Sequence, residues 1–307
     1  MIYKKLMIIL LCMNYIYAIN IGTISIKDDN NLISMSKDIK NILKKYNINS
    51  KIQIEKDSLI NIDKLINNQT NNYFAIVNYD SILEYNSKNS KKYSRSIYRD
   101  IPVILTLGSE QIHIFTNENN EFDFDTKKKF KVYCGKKDSD SCISSKYIEK
   151  VYGFNFSYIK SSIKQIQNDL NNNKVELYIS VKKAPYKAFI SLKNIKMVDL
   201  PTNFNMEDIY LNSQLKMDTY PFLDDDIHIY TINQVLITNL KDKKYNSIIK
   251  NIVKIIMLNR NYLEKNNKNV WNDVNFQYVK YKKLSKIAKK TILEITINQK
   301  AKEALNF

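Results

Sequence analysis

Apolar positions along this chain switch repeatedly between strand spacing and helix spacing, and the switches predict an alternating series of strands and helices. Ile19-Asn20-Ile21 reads as a strand that turns into a loop at Gly22 and Thr23-Ile24-Ser25. Leu32, Met35, Ile39, Ile42, Leu43 and Tyr46 then share one helical face, with lysine and asparagine opposite. Lys51 to Ile54 alternates like a strand, Ile62, Leu65 and Ile66 mark a short helix, and Tyr73-Phe74-Ala75-Ile76-Val77 is a continuous apolar run suited to a buried parallel strand. Together these form a βαβαβ opening. Asn78-Tyr79-Asp80 falls at the carboxyl end of the third strand, where open parallel sheets place their ligands.

The polar stretch from Tyr85 to Arg99 reads as a surface loop and leads to Ile101-Pro102-Val103-Ile104-Leu105-Thr106-Leu107, the first crossing to a second half. There the pattern repeats. Strands are expected at Phe130 to Cys134, Phe156 to Ile159 and Val175 to Val181, and helices at Cys142 to Tyr152 and Ile163 to Leu170. Ile227 to Thr238, after the acidic turn Asp224-Asp225-Asp226, is the expected return crossing. Tyr245, Ile248, Ile249, Ile252, Val253 and Ile256 then line a helix that packs on the first half. Two similar α/β halves with long connections imply a cleft between them. The expected boundaries are 19–105 with 233–307 for the first lobe and 106–232 for the second.

Composition refines this picture. Lys4 and Lys5, the apolar run Leu6 to Met13 and a polar stretch ending in Ala18 have the order of a secretory signal, so residues 1–18 are expected to be removed near Ala18 and the rest exported to the periplasm. The formal net charge is +17, of which Lys4 and Lys5 supply two. Nucleic acid is nevertheless not an expected partner. The basic residues are overwhelmingly lysine, scattered among Asn, Ile and Tyr, whereas specific readers of bases and phosphates lean on forked arginine contacts. Only four glycines occur, so each is read as a backbone requirement. Gly108 interrupts an otherwise strand-like run, and Gly153 fits a left-handed helix cap. Cys134 and Cys142 are close enough in sequence to bridge in an oxidising compartment or to remain free thiols. His113 and His228 do not stand at ligand spacing from them, and no metal or other cofactor is expected.

Ile21 to Ser25, Ala75 to Asp80, Ser109 to Ile114, Asn173 to Ile179 and Asp218 to Pro221, in this order, resemble motifs of the TAXI family, the extracytoplasmic solute-binding components of one branch of the TRAP transporters. Ile21-Gly22-Thr23-Ile24-Ser25 resembles the family's opening Ile-Gly-Thr-Gly-Ser loop. Ala75-Ile76-Val77-Asn78-Tyr79-Asp80 is similar to its Ala-Ile-Val-Gln-Ser-Asp pattern, and Ser109-Glu110-Gln111-Ile112-His113-Ile114 to its crossover. Asn173 to Ile179 with the following Pro185, and Asp218-Thr219-Tyr220-Pro221 with the acidic turn after it, complete the series. The resemblance implies an α/β, two-lobed periplasmic-binding-protein type II fold, with a central cleft and two crossover hinge strands. It also implies a monomer that captures a small anionic metabolite, amino-acid or dicarboxylate-like, for a TRAP-type permease. The chain departs from the family in both ligand loops, where Ile26, Lys27, Asp28 and Asp29, and then Lys136 to Ser141, replace glycine-rich sequence.

Candidate ligand-binding residues follow from this reading. Thr23 and Ser25 in the first loop, and Ser139 and Ser141 in the second, offer hydroxyls beside helix N-termini to an anionic group. Asn78 and Asp80 are placed to fix an amino or hydroxyl group, and Lys182 and Lys183 to pair with a carboxylate. His113 reads as structural. The chain is not expected to be an enzyme: it has two distant histidines, no Gly-x-Ser-x-Gly and no phosphate-binding glycine loop. The alternative is an exported antigen or interaction protein that keeps the fold but has lost ligand binding. A cleft plugged by Ile24, Ile26 or a lysine favours that alternative.

Overall fold

The computed structural model of the protein describes residues 18–67, 71–89, 101–122, 127–272, 274–276 and 284–305. The first half is built from β1 (Ile19–Lys27), α1 (Asn30–Lys45), β2 (Ile48–Glu55), α2 (Ser58–Ile66), β3 (Asn72–Asn78) and α3 (Tyr79–Asn89). A long strand, β4 (Val103–Asn117), leads to β5 (Lys129–Tyr133), α4 (Asp140–Tyr152), β6 (Asn155–Tyr158), α5 (Ile166–Asn171) and β7 (Leu177–Lys182). After α6 (Lys187–Ile190), β8 (Ile195–Met197), α7 (Phe204–Glu207) and β9 (Leu211–Leu215), a second long strand, β10 (Ile227–Thr238), runs back. Helices α8 (Asn246–Leu258), α9 (Arg260–Asn266), α10 (Lys268–Trp271) and α11 (Lys286–Leu305) follow. The expected leader, apart from Ala18, lies outside the described residues.

All ten strands join one sheet, in the order β2-β1-β3-β10-β4-β7-β5-β6, with β8 added to β4 and β9 to β10. β1 pairs in parallel with β2 and β3, and β5 pairs in parallel with β6 and β7, so both halves repeat the same 2-1-3 arrangement. The two long strands serve both halves. β10 runs antiparallel to β3 through Gln234–Thr238 and to β9 through Ile227–Thr231. β4 pairs with β10 through most of its first part and with β7 from Gln111 onward. The carboxyl ends of β1, β3 and β7 are thereby brought towards the middle of β4.

Local sequence explains the elements. Asp29 caps α1 by accepting from the backbone N–H of Asn31 and Leu32, and Leu32, Met35, Ile39, Ile42 and Leu43 bury one face. β3 is buried everywhere but Tyr73, as its unbroken apolar run requires. Two glycines behave differently from each other. Gly22 does not end the strand; its φ of +71° marks a register shift inside β1, and a Cβ there would lie 2.2 Å from Asn71 O. Gly108 has no positive φ, and a Cβ would meet only Gln234 at 3.5 Å and Met35 at 3.7 Å; β4 continues through it, with a register shift against β10 between Thr106 and Gly108. The stretch from Tyr85 also departs from expectation: residues up to Asn89 continue α3, and Tyr85 is buried because its ring packs in the core while its hydroxyl bonds Asp63. Residues 90–99 lie outside the described set.

One hydrophobic cluster runs through both halves, from Ile62, Ala75 and Val77 to Phe130, Val132, Ile179 and Val181. A second packs α1, α8, Trp271 and α11 against the other face of β1 and β3. A third fills the second half around Phe115, Phe189 and Tyr220. His113 is buried against this third cluster, with its Nε2 2.9 Å from the Tyr220 hydroxyl. Burial lowers its pKa to about 4, so the ring is neutral.

Candidate functional site at the junction of the halves

Lys27, the last residue of β1, extends its ammonium into the junction. There it donates to Glu110 Oε2 at 2.5 Å and Asp140 Oδ2 at 2.8 Å. Glu110 lies at the middle of β4, opposite Ile232 of β10, and Asp140 opens α4 in the second half. Asn78, the last residue of β3, donates from Nδ2 to the same Glu110 oxygen at 2.8 Å. Ser81 of α3 reaches Asp140 Oδ1 at 3.2 Å. Beside them, Asp80 accepts from Ser144 of α4 at 2.6 Å and from the Tyr210 hydroxyl at 2.9 Å. At the rim, Lys182 at the end of β7 lies 3.5 Å from Asp29. Each half therefore supplies polar side chains to one interior cluster.

The charges in this cluster are deeply placed. Among the described residues, Lys27 is the only buried lysine or arginine, and Asp80, Glu110 and Asp140 are the only buried carboxylic acids. Burial works against the Lys27 ammonium, but Asp140, Glu110 and Asp29 outweigh it and raise its pKa, keeping it charged. Asp140 is also opposed by burial, yet the charge and hydrogen bond of Lys27 hold its pKa below the ordinary value. For Glu110, burial exceeds the help from Lys27 and the pKa rises. Burial pushes Asp80 up to about 7, against the hydrogen bond from Ser144. Three buried acceptor atoms, Asn78 Oδ1, Asp80 Oδ1 and Glu110 Oε1, have no hydrogen-bond partner among the described residues.

Of the residues expected from sequence to bind ligand, Asn78 and Asp80 belong to this cluster. Thr23 and Ser25 lie inside β1 rather than in a loop, and Ser25 bonds Asn72. The strand continues to Lys27, so its carboxyl end falls two residues beyond Ser25. Ser139 is the N-cap of α4, and Ser141 accepts from the Val181 N–H. Lys182 faces Asp29 across the junction. Lys183 instead donates to the carbonyl oxygen of Asn269 at 2.9 Å, tying the end of β7 to α10. Cys134 and Cys142 are joined in a disulfide that closes the β5–α4 loop. That loop borders a separate cavity of about 900 Å³, whose walls include the disulfide, Tyr158 and Ile163.

Lys27, Asp29, Ser81, Glu110, Asp140, Ser144 and Tyr210 are absent from the sequence-based set. Glu110 had a legible signal, as the only carboxylate in the otherwise uncharged run from Ile101 to Asn117. Lys27 had a weaker one, closing an apolar strand immediately before the cap of α1. Ser144 and Tyr210 carry none, because their role exists only through packing of the two halves.

No protein-family model matches the sequence, and no curated protein matches it. Solved structures match in architecture. YhfZ from Shigella flexneri has a TM-score of 0.51 at 11% identity, over 80% of this chain and 91% of that one. XAC2383 from Xanthomonas citri, bound to ATP, has a TM-score of 0.50 at 6% identity, over 92% and 98%. A putative L-cystine ABC transporter from Listeria monocytogenes has a TM-score of 0.46 at 12% identity, over 85% and 100%. At such identities the first two likenesses are of fold alone. Two parallel 2-1-3 halves joined through two long antiparallel strands are the arrangement of the two-lobed periplasmic-binding-protein fold. The cluster around Lys27 lies beside the crossing strand β4, where strands of both halves give way to helices. Among the described residues, no helix is long and apolar enough to cross a membrane, and no three His, Cys, Asp or Glu side chains group as a metal site.

Proposed function

We propose that this protein is an extracytoplasmic solute-binding component that passes a small polar solute to a membrane permease and performs no chemistry itself. The carrying observation is the convergence of Lys27 and Asn78 from one lobe, Asp140 and Ser144 from the other and Glu110 from a crossing strand on one buried polar site. A site assembled from both lobes and a shared strand is formed by closure and undone by opening, which is how a hinged binding protein traps cargo. In this reading the lobes comprise 19–105 with 233–307 and 106–232, a division supported by the passage of β4 and β10 between them. Export follows removal of residues 1–18, and the protein works as a monomer.

The resemblance to the TAXI family makes a TRAP-type permease the proposed partner and an anionic metabolite the first candidate cargo. The buried groups favour the opposite sign of charge, since three carboxylic acids face one ammonium. A thermal-shift screen against amino acids, dicarboxylates and amines tests the proposal, because a solute that binds only the folded state raises Tm. Saturating cargo is expected to raise it by several degrees. An intact fold that no solute stabilises overturns the proposal.

A second reading, that the protein keeps the fold as an exported interaction protein without cargo, is favoured by the filling of the cleft centre by Lys27. The same screen separates the two, since that reading requires no response from any solute.

A further inference from the structure

We propose that Lys27 is a tethered stand-in for the cationic group of the cargo, so that the cleft takes a small solute bearing a primary ammonium group. This rests on the solute-binding reading above and names the cargo class for that site.

Four observations carry it. All the buried carboxylic acids among the described residues are gathered here, Asp80 and Asp140 at the starts of helices from opposite halves and Glu110 on the crossing strand. Burying one carboxylate is costly, and three within one cluster are retained only where a cation answers them. The cation present is an ammonium on a flexible stem from the carboxyl end of β1, held by Glu110 and Asp140 together. The remaining unpaired atoms are the amide oxygen Asn78 Oδ1 and the carboxyl oxygens Asp80 Oδ1 and Glu110 Oε1, so with the acids ionised what this site lacks is donors. An ammonium group brings three donors and a positive charge. A carboxylate brings neither and would meet oxygen atoms on every side.

A cargo ammonium that enters takes the bonds of the Lys27 Nζ, and the displaced lysine returns to water, where its charge is solvated. In the empty protein Lys27 satisfies the same carboxylates and keeps the lobes together. The lysine is thereby a built-in competitor that sets the affinity for cargo.

Replacing Lys27 by alanine removes the ammonium and three of its four stem carbons, and n-butylammonium carries the same charge on a chain as long as the whole lysine stem. Calorimetric titration of the full-length exported chain is expected to show Lys27→Ala binding n-butylammonium at least tenfold more tightly than wild type does. The same variant is expected to bind n-butanol and n-butyrate at least tenfold more weakly than the amine. Should Lys27→Ala fail to fold, Lys27→Ala/Asp140→Asn removes one stranded carboxylate, and Glu110 still selects the amine. Equal binding of amine and alcohol, or tighter binding of butyrate, overturns the inference. A dicarboxylate that stabilises wild type while the alanine variant ignores butylammonium also overturns it and leaves the solute-binding reading standing. Stabilisation of wild type by no solute at all removes that reading instead.

Discussion

Asp140 Oδ2 accepts a hydrogen bond from Lys27 Nζ at 2.8 Å although 113 positions separate the two residues, and this contact ties the first strand of one lobe to the first helix of the other. The same ammonium holds Glu110, so its loss strands two carboxylates, whereas loss of either carboxylate leaves Lys27 with one partner. Lys27→Met is therefore expected to cost about 3–5 kcal/mol of unfolding free energy. Asp140→Asn and Glu110→Gln should each cost less. Urea denaturation of the three variants checks the ranking, and equal costs would show that the ammonium does not serve both acids.

The pH dependence of stability contains opposed contributions, of which those of His113 and Asp80 span the widest windows on the acid side of neutrality. His113 has a folded pKa lowered from 6.5 to about 4, so the unfolded chain binds more protons between those values and stability falls as pH falls through that window. Asp80 has a folded pKa raised from 3.8 to about 7, so its contribution is present at low pH and is lost as pH rises towards 7. In Asp80→Asn the main carboxyl opposing the histidine is gone and the raised Glu110 opposes it only in part, so acidification from pH 6.5 to 4 should lower stability. In His113→Gln stability should decline with rising pH over the same range. Denaturation at four or five pH values distinguishes these slopes, and wild type should be shallower than either variant.

The two contrasting glycines give a backbone test. Gly22→Ala adds a Cβ at positive φ and against Asn71 O, so a loss of about 2 kcal/mol or more is expected. Gly108→Ala meets only ordinary contacts and should be neutral or stabilising by about 0.5 kcal/mol, through a less flexible unfolded chain. Thermal melts of both variants check the pair.

The disulfide between Cys134 and Cys142 closes a short loop that shapes the start of α4 and so the position of Asp140. Chain-entropy arithmetic for a loop of this size gives about 2–3 kcal/mol. Replacing both cysteines by serine should lower stability by that amount in non-reducing denaturation. Adding reductant should lower wild type and leave the double variant unchanged.

Much of the fold is legible in the sequence because the apolar spacing is strong. Ile227 to Thr238 was read with the bounds that β10 has, and the buried run at Tyr73 to Val77 became β3. The misreadings have local causes. Gly22 looked like a strand end, but a left-handed glycine also fits a register shift within a strand, and only pairing with β2 and β3 tells the two apart. With a strand end at Gly22, Thr23 and Ser25 fall in a loop; with the register shift, Lys27 stands at the carboxyl end of β1. The site was less legible than the fold. A lysine flanked by Ile26 and Asp28 reads as solvated, and nothing in sequence places Glu110 and Asp140 around it. Asn78 and Asp80 were visible because they follow a strand whose burial on both faces is obvious.

The passage of β4 and β10 between lobes has a consequence for how the molecule comes into being. β3 lies between β1 and β10, so its second edge stays open until residues 227–238 have been made. The first half is not one contiguous piece of polypeptide, because β10 completes its sheet only after the second half, and a nascent chain emerging from its amino end cannot finish the first half before most of the second exists. Such long-range pairing delays folding and leaves an exposed strand edge in the interim. Fragments ending before Thr238 should accordingly stick to one another through β3 instead of forming a stable half.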